Sequence, residues 1–281
     1  MSGIVSLLPA ATEIVFALGA GDELVGRSHE CDFPAKVQEL PVVSRPALEL
    51  EGLSQSEVDA AVAARMRSGE TLYMVDEGLL HELTPDVILT QDLCQVCAPS
   101  GNELTRAIKS LPHAPEVLYL TPRTLAEIDE NIIAVGRAIG RLSEAEALVE
   151  RNHEQLDRVR ASTRGKVRRR VTFLEWTDPP FCAGHWVPEM IEIAGGEDPL
   201  GRPGADSVRI SWEDVRAWSP EVVIVAPCGY GLAEAERLAA GLPEIPGARV
   251  CPVDANAYFA RPGPRYAEGV EVLTGVVRGD V

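Results

Sequence analysis

One order of predicted elements occurs twice in this chain, and it restricts the fold more than any other feature of the sequence. In the first half, an apolar strand over residues 4–8 is followed by a proline, a helix that ends in glycines, and later a strand over residues 83–89. The second half repeats this order between residues 171–174 and residues 218–225. Strands that alternate with helices predict mainly parallel sheets. We therefore predict an α/β protein with two Rossmann-like lobes.

Residues 143–162 predict one long helix between the two halves. Neither Gly nor Pro occurs in this stretch, and its apolar residues recur at helical spacing. Ser143 and Glu146 have the spacing of a capping box, and we expect Thr12 to cap the first helix in the same way. We predict an N-terminal lobe over residues 1–122 and a C-terminal lobe over residues 166–281. A helical linker over residues 123–165, which contains the long helix, joins them.

Composition limits the partners and predicts a location. The net charge of −17 argues against nucleic acid and anionic membrane surfaces as partners. No apolar stretch approaches the roughly 20 residues of a membrane span, so no membrane insertion is expected. No signal peptide precedes the strand at residues 4–8, which predicts a cytoplasmic protein. Its six cysteines are then expected to be thiols or metal ligands.

The predicted binding site is formed by loops that leave the carboxyl ends of parallel strands, where such sheets bind ligands. Six such loops are expected to line a cleft between the lobes. They centre on Pro9, His29, residues 91–97, residues 178–186, residues 228–230 and residues 256–261. The candidate ligand-binding residues on these loops are Pro9, Ala10, Asp178, Phe181, His185, Trp186, Cys228, Tyr230, Asn256, Tyr258, Phe259 and Arg261.

Aromatic residues are concentrated on the loops of the second half, although they make up only 5% of the chain. These residues are Trp176, Phe181, Trp186, Tyr230, Tyr258 and Phe259. On loops rich in proline and glycine they indicate a pocket for a large, flat, partly apolar ligand, and a place in the core is the alternative. Arg261 and Arg265 can hold a carboxylate, amide or phosphate of that ligand. Surface ion pairs are the other interpretation of these arginines.

Histidine and cysteine residues suggest two further possibilities. His185, between Gly184 and Trp186, either ligates or hydrogen-bonds a metal centre carried by the ligand, or has a purely structural role. A possible zinc or iron–sulfur site consists of His29, Cys31, Cys94 and Cys97. A single C-x-x-C pair is also compatible with two thiols that bind no metal.

Motifs of common enzyme classes are missing from the sequence. It contains no nucleophile elbow, P-loop, dinucleotide fingerprint or H-E-x-x-H. The pair Gly19 and Gly21 ends a helix, whereas a phosphate-binding motif would begin one. We therefore do not expect an enzyme.

Several blocks, taken in order, resemble the family of periplasmic binding proteins for cobalamin and iron–siderophore complexes. They are residues 4–13 with 18–21, residues 85–88, residues 179–181, residues 194–196 and residues 258–261. The match covers nearly the whole chain and is closest to the cobalamin-binding branch. The resemblance implies two Rossmann-like lobes joined by one long helix, with a corrinoid or metal chelate held in the cleft.

The resemblance also implies a glutamate on each lobe that docks an ABC transporter permease. Glu213 matches the position in the second lobe, whereas the position in the first lobe falls on Gly78 with Glu77 beside it. This departure puts permease docking in doubt. The leading hypothesis is a cytoplasmic relative that binds cobalamin or a related corrinoid without chemistry. The alternatives are a metal- or cluster-binding protein that uses Cys31, Cys94 and Cys97, and an enzyme that acts on a corrinoid.

Overall fold

The chain divides into two compact units in a computed structural model that describes residues 3–91, 102–109 and 111–279. The first unit comprises Met1–Thr121 and Asp129–Val149, and the second comprises Pro122–Ile128 and Glu150–Val281. Two of the three changes from one unit to the other fall inside helices, and the residues of the predicted linker are shared between the units.

The first unit contains a six-stranded sheet. Its strands are β1 (Ile4–Ser6), β2 (Leu24–Ser28), β3 (Val42–Pro46), β4 (Tyr73–Val75), β5 (Val87–Thr90) and β6 (Glu116–Tyr119). Its helices are α1 (Pro9–Ala17), α2 (Gln55–Ser68), α3 (Glu77–Leu83) and α4 (Asn102–Lys109), and it shares α5 (Leu125–Ala138) and α6 (Leu142–Thr163) with the second unit.

The strand order in the first sheet is β4-β3-β2-β1-β5-β6, with every pair parallel except β3 and β4. Central strands of a parallel sheet are covered on both faces, which favours continuous apolar runs. Accordingly, β1 and β5 are buried along their whole length. Val5, Ile88 and Leu80 of α3 belong to one apolar cluster that forms the core of this unit.

The second unit is built around a second, smaller sheet. The strands of this unit are β7 (Arg169–Thr177), β8 (Pro180–Cys182), β9 (Gly184–His185), β10 (Gly196–Glu197), β11 (Arg202–Pro203), β12 (Val222–Val225) and β13 (Arg249–Pro252). Its helices are α7 (Val187–Ile193), α8 (Trp212–Trp218), α9 (Leu232–Ala240), α10 (Ala255–Tyr258) and α11 (Tyr266–Arg278). The order β10-β7-β12-β13 is parallel, β8 is antiparallel to β7, and β9 pairs with β11 outside this sheet.

The α/β class with mainly parallel sheets and two lobes is confirmed, and the long helix is present as the 22-residue α6. Its predicted capping box is wrong, because α6 begins at Leu142 and the Ser143 hydroxyl donates to Glu144 instead. The predicted Thr12 cap is also wrong, because α1 begins earlier with a proline in its first turn. None of the helices in the described part of the chain is long and apolar enough to cross a membrane.

Candidate functional site

Three parallel strands bring the predicted loops of the second unit to one edge of its sheet. β12 lies between β7 and β13, with Val225 opposite Leu174 on one side and Pro252 on the other. The backbone N–H of Cys228 donates to the carbonyl of Glu175 at 2.9 Å, so the loops after β7 and β12 are joined directly. Loops at the carboxyl ends of parallel strands are the usual place for a ligand in α/β proteins.

An aromatic pair lies at this edge. The ring centroids of Trp176 and Tyr230 are 5.6 Å apart with the planes tilted by 59°, and both side chains are half-buried. The Trp176 indole N–H donates to the carbonyl of Asp178 at 3.1 Å, which holds the ring beside the exposed turn after β7. The N–H of Asn256 donates to the carbonyl of Tyr230 at 3.3 Å, so the loop after β13 joins the same surface.

The hydroxyl of Tyr230 is protonated at neutral pH, as tyrosine hydroxyls ordinarily are, and burial raises the pKa of this phenol further. It can therefore donate a hydrogen bond to a ligand. Asn256 is half-buried beside it, and Cys228 is exposed next to Gly229, whose φ is +86°. The edge thus offers apolar ring faces together with neutral polar groups.

Trp186 and Phe259, which the sequence placed on the pocket wall, are core residues of the second unit. Their exposed fractions are 7% and 3%. The Trp186 indole N–H donates to the carbonyl of Phe259 at 3.2 Å, and the Phe259 ring packs edge-on against Phe173 with centroids 5.5 Å apart. These two rings stabilise the loops, and the half-buried Trp176 and Tyr230 are the rings that a ligand can contact.

Two of the remaining aromatic rings are partly covered by arginines. The guanidinium of Arg265 lies 5.7 Å from the ring centre of Tyr258, and that of Arg209 lies 5.7 Å from the ring centre of Phe181. Such cation–π contacts stabilise a ring and a cation together. Arg265 therefore has an aromatic neighbour in addition to any role toward a ligand, and Arg261 is half-buried on the same segment.

His185 lies in a polar group with Asp206 and Arg123. Its Nε2 is 3.1 Å from Asp206 Oδ1, and the Arg123 guanidinium donates to the same oxygen at 3.2 Å. Because a carboxylate only accepts hydrogen bonds, Nε2 carries the proton. Burial lowers the pKa of His185, and Asp206 opposes that effect. This geometry favours the structural interpretation of the histidine over the metal-ligand interpretation, since Nε2 is engaged within the unit.

Glu175 is a half-buried acid at this edge that sequence reasoning missed. Its Oε1 accepts the backbone N–H of Gly184 at 2.7 Å, and burial raises its pKa to about 7. Through this bond β7 is tied to the segment that carries His185. The signal in the sequence was a single acid inside the apolar run at residues 171–176.

The candidate residues of the first unit lie after β1 and β2. Pro9 and Ala10 open α1, with Pro9 half-buried and Ala10 buried. The Nδ1 of His29 lies 3.2 Å from the carbonyl of Ser44. Cys31 is buried, and the Thr12 hydroxyl donates to its sulfur at 3.0 Å.

The predicted metal site falls partly outside the described residues, because Cys94 and Cys97 lie there. Within residues 3–91, 102–109 and 111–279, no three side chains of His, Cys, Asp or Glu are grouped in a way that holds a metal ion. A zinc or iron–sulfur site at His29, Cys31, Cys94 and Cys97 therefore stays a prediction.

The two glutamates predicted to dock a permease both begin helices. Glu213 is in the first turn of α8 with 85% of its side chain exposed. Glu77 is in the first turn of α3, and its Oε1 accepts from Arg106 Nε at 2.7 Å. Both glutamates have an arginine neighbour, but Glu213 Oε1 is 4.0 Å from Arg216 Nη1 and its side chain is largely exposed, whereas the ion pair of Glu77 is closer.

A parallel α/β sheet with aromatic groups at its carboxyl edge is suited to ligand binding. The sequence profile of the periplasmic binding protein family matches residues 4–242. The chain therefore belongs to this family, and it is a substrate-binding protein.

Individual relatives agree with this assignment. The vitamin B12-binding protein of Vibrio cholerae serotype O1 is 26% identical over 273 residues, which is 95% of this chain and 86% of the relative. The crystal structure of the periplasmic vitamin B12 binding protein BtuF of Vibrio cholerae covers 99% of this chain and 96% of its own, with 21% identity and a TM-score of 0.67. The periplasmic heme-binding protein RhuT from Roseiflexus sp. RS-1 covers 99% and 98%, with 21% identity and a TM-score of 0.70. The two solved structures establish the fold.

The expectation of a cytoplasmic protein is wrong, because the matching family is one of periplasmic proteins. The expectation depended on the start of the sequence, where β1 follows almost at once. The cellular location of the protein cannot be inferred from those residues. Without a cytoplasmic location, no reducing compartment is established that would keep the cysteines as thiols. In the described part of the chain, Cys182 and Cys251 form no disulfide.

Proposed function

We propose that this protein binds cobalamin or a related corrinoid or metal chelate at the carboxyl edge of the second sheet, and releases it unchanged. The observation that carries the proposal is the half-buried pair Trp176 and Tyr230, which presents aromatic faces where α/β proteins bind ligands. A relative that matches 95% of the chain is named a vitamin B12-binding protein, which supports a corrinoid as the ligand.

The chemistry of the edge suits a large ligand with an apolar ring and amide side chains. Aromatic faces bury apolar area and keep a polar handle at the rim. The hydroxyl of Tyr230 and the side chain of Asn256 supply neutral hydrogen-bonding groups, which match amides without requiring a charged ligand. Binding energy from such contacts holds the ligand and involves no covalent step.

The family membership leads us to place this activity outside the cytoplasm and to couple it to uptake. Glu213, exposed in the first turn of α8, is available for an arginine of a membrane permease. On the first unit, Gly78 lies at the expected position and Glu77 beside it pairs with Arg106. We expect the contact through Glu213 to be the stronger of the two.

Titration followed by visible absorbance tests the ligand class. Purified protein is titrated with cyanocobalamin, heme and a ferric siderophore, and we expect saturable binding of the corrinoid. The double variant Trp176→Ala/Tyr230→Ala should weaken binding by about tenfold or more, since each ring contributes roughly 1 kcal/mol beyond simple area burial.

Tyr119→Ala is the matched control, because Tyr119 is an exposed aromatic of the first unit, 49% accessible on β6. It should bind as the wild type does. Tight binding of heme with no binding of cobalamin would show that the ligand is another metal chelate and not a corrinoid. If the double variant binds with wild-type affinity, the ligand does not bind at this edge.

A further inference from the structure

A basic turn in the second unit contrasts with the acidic character of the whole chain. This turn, residues 164–170, contains Arg164, Lys166, Arg168, Arg169 and Arg170. It thus holds five of the 26 lysines and arginines of a chain whose net charge is −17. Every residue of the turn is exposed, and Val167 at its centre is 91% accessible. An apolar side chain that protrudes among cations is not explained by the packing of the unit.

The basic turn lies at the opposite end of β7 from the candidate ligand site. α6 ends at Thr163 and β7 starts at Arg169, so the turn comprises the connection between them and the first two residues of that strand. The rest of β7, from Val171 to Thr177, separates the turn from the carboxyl edge by roughly 23 Å. Within this unit, a partner on the turn would leave the ligand edge uncovered.

The local charge remains positive after neighbouring carboxylates are considered. Arg168 pairs with Glu192 at 2.8 Å, and Arg169 pairs with Glu221 at 2.8 Å. A sixth cation adds to the turn, because the guanidinium of Arg278 donates to the carbonyl of Ser162 at 2.7 Å. A concave surface beside the turn is lined by Lys166, Val167, Arg169, Ala194, Gly195, Val277 and Arg278.

We propose that the basic turn binds the surface of a membrane rich in anionic phospholipids, with Val167 inserted at the level of the headgroups. Clusters of cations bind such surfaces through many weak, additive attractions, and an apolar side chain among them adds buried area at the interface. The overall negative charge does not prevent this, because screening limits each charge to about 10 Å at 0.1 M salt. The local cluster therefore decides the interaction.

The geometry favours a lipid surface over a folded protein partner. Arg168 and Arg169 already pair with carboxylates of this chain, so their guanidinium groups are not open for bidentate contacts, and the net positive charge comes from the other cations of the turn. A continuous anionic surface needs only a positive field, whereas a specific acidic protein site requires fixed guanidinium geometry. This proposal does not depend on which ligand the carboxyl edge binds.

Sedimentation with vesicles tests the proposal. The wild-type protein should associate with vesicles of phosphatidylglycerol and phosphatidylcholine at 50 mM salt, dissociate at 500 mM salt, and ignore pure phosphatidylcholine. Arg164→Gln/Lys166→Gln should lower the partition coefficient by at least about tenfold, because each cation contributes roughly fivefold. Val167→Asp should also lower it, and Val167→Leu should preserve it.

Arg67→Gln/Arg151→Gln is the control, since it removes the same charge from exposed positions on α2 and α6. It should partition as the wild type does, and unfolding midpoints should show that all variants are folded. Equal loss in both double variants would reduce the effect to net charge and overturn the proposal. Wild-type protein that ignores the anionic vesicles would also overturn it. Crosslinks from position 167 to membrane proteins in that case would identify a protein contact instead.

Discussion

Two enclosed carboxyl groups position loops of the second unit. The carboxylate of Asp198 accepts the N–H of Phe173 at 2.9 Å and of Leu200 at 3.1 Å, and Glu175 accepts that of Gly184 at 2.7 Å. Burial raises the pKa of Asp198 to about 6 and that of Glu175 to about 7. Glu175 thus links β7 to β9, and Asp198 links β7 to the segment after β10. Removal from water favours the protonated form of each acid.

Glu175→Gln should change how stability depends on pH. The folded protein keeps the Glu175 proton up to about pH 7, whereas an ordinary glutamate loses it near 4.5. Folding stability from this group is therefore present below pH 4.5 and is lost as the pH rises to 7. The variant keeps the amide oxygen as an acceptor and should gain on the order of 3 kcal/mol relative to the wild type at pH 8, but not at pH 4.

Urea unfolding of both proteins between pH 4 and pH 8 measures this difference. Glu197→Gln is the matched control, because Glu197 is an exposed acid on the neighbouring strand β10. Its unfolding free energy should follow the wild type at every pH. Parallel curves for Glu175→Gln and the wild type would show that the carboxyl is not protonated in the folded state near neutral pH.

The aromatic residues of the second unit should separate into two groups on mutation. Trp186→Ala or Phe259→Ala removes a buried ring and should destabilise the fold by about 3–5 kcal/mol. Trp176→Ala removes a half-buried ring and should cost less stability, but should weaken ligand binding. Thermal unfolding together with corrinoid titration distinguishes the groups. If Trp186→Ala is as stable as the wild type, that ring belongs to the pocket wall and not to the core.

At the scale of secondary structure, the reliability of helix-start signals depended on neighbouring residues. Ser54 and Ser211 cap α2 and α8 with complete capping boxes. Thr12 and Ser143 carry similar signals but lie inside helices, since chain ahead of them can adopt helical geometry as well. The sequence also missed β4, a three-residue antiparallel strand whose Met74 is 55% exposed. Such a short strand depends on pairing with β3 more than on its own residues.

Close packing of α5 against α6 requires a glycine at position 136. A Cβ there would lie 2.5 Å from the Cβ of Ala145 and 2.9 Å from the carbonyl oxygen of Arg141. Gly136→Ala should therefore destabilise the protein by about 1–3 kcal/mol, despite the better helix propensity of alanine. Chemical denaturation gives the value.

For Gly78→Ala we expect the opposite change in the free energy of unfolding, measured in the same way. Gly78 lies in α3, and an added Cβ would meet only Asp76 Oδ1 at 3.6 Å. Alanine should stabilise the protein there by up to about 1 kcal/mol. Equal effects of the two substitutions would mean that helix propensity, and not packing between α5 and α6, determines the result at position 136.

At the scale of the whole molecule, a bound ligand should stabilise the folded chain by mass action. A ligand at 100 times its Kd adds about 2.7 kcal/mol if it binds only the folded state. Cyanocobalamin should thus raise the unfolding midpoint of the wild type, and the Trp176→Ala/Tyr230→Ala variant should lose most of that shift at the same concentration. Differential scanning fluorimetry across corrinoids, heme and ferric chelates ranks the ligands. A shift with the double variant equal to that of the wild type would contradict the site.

The sequence alone determined the fold class, since alternating apolar strands and helices allow few arrangements other than parallel sheets covered by helices. It also identified the edge where loops such as residues 228–230 emerge, because strand direction follows from chain order. Only the tertiary structure separated Trp186 and Phe259, which are core, from Trp176 and Tyr230, which remain accessible. Flanking glycines and prolines are similar around all four rings, whereas burial depends on residues distant in the chain, such as Phe173 against Phe259. The role of Glu175 was also visible only in the tertiary structure. Its pKa is raised, and it bonds to Gly184, only when two segments of the folded chain enclose it.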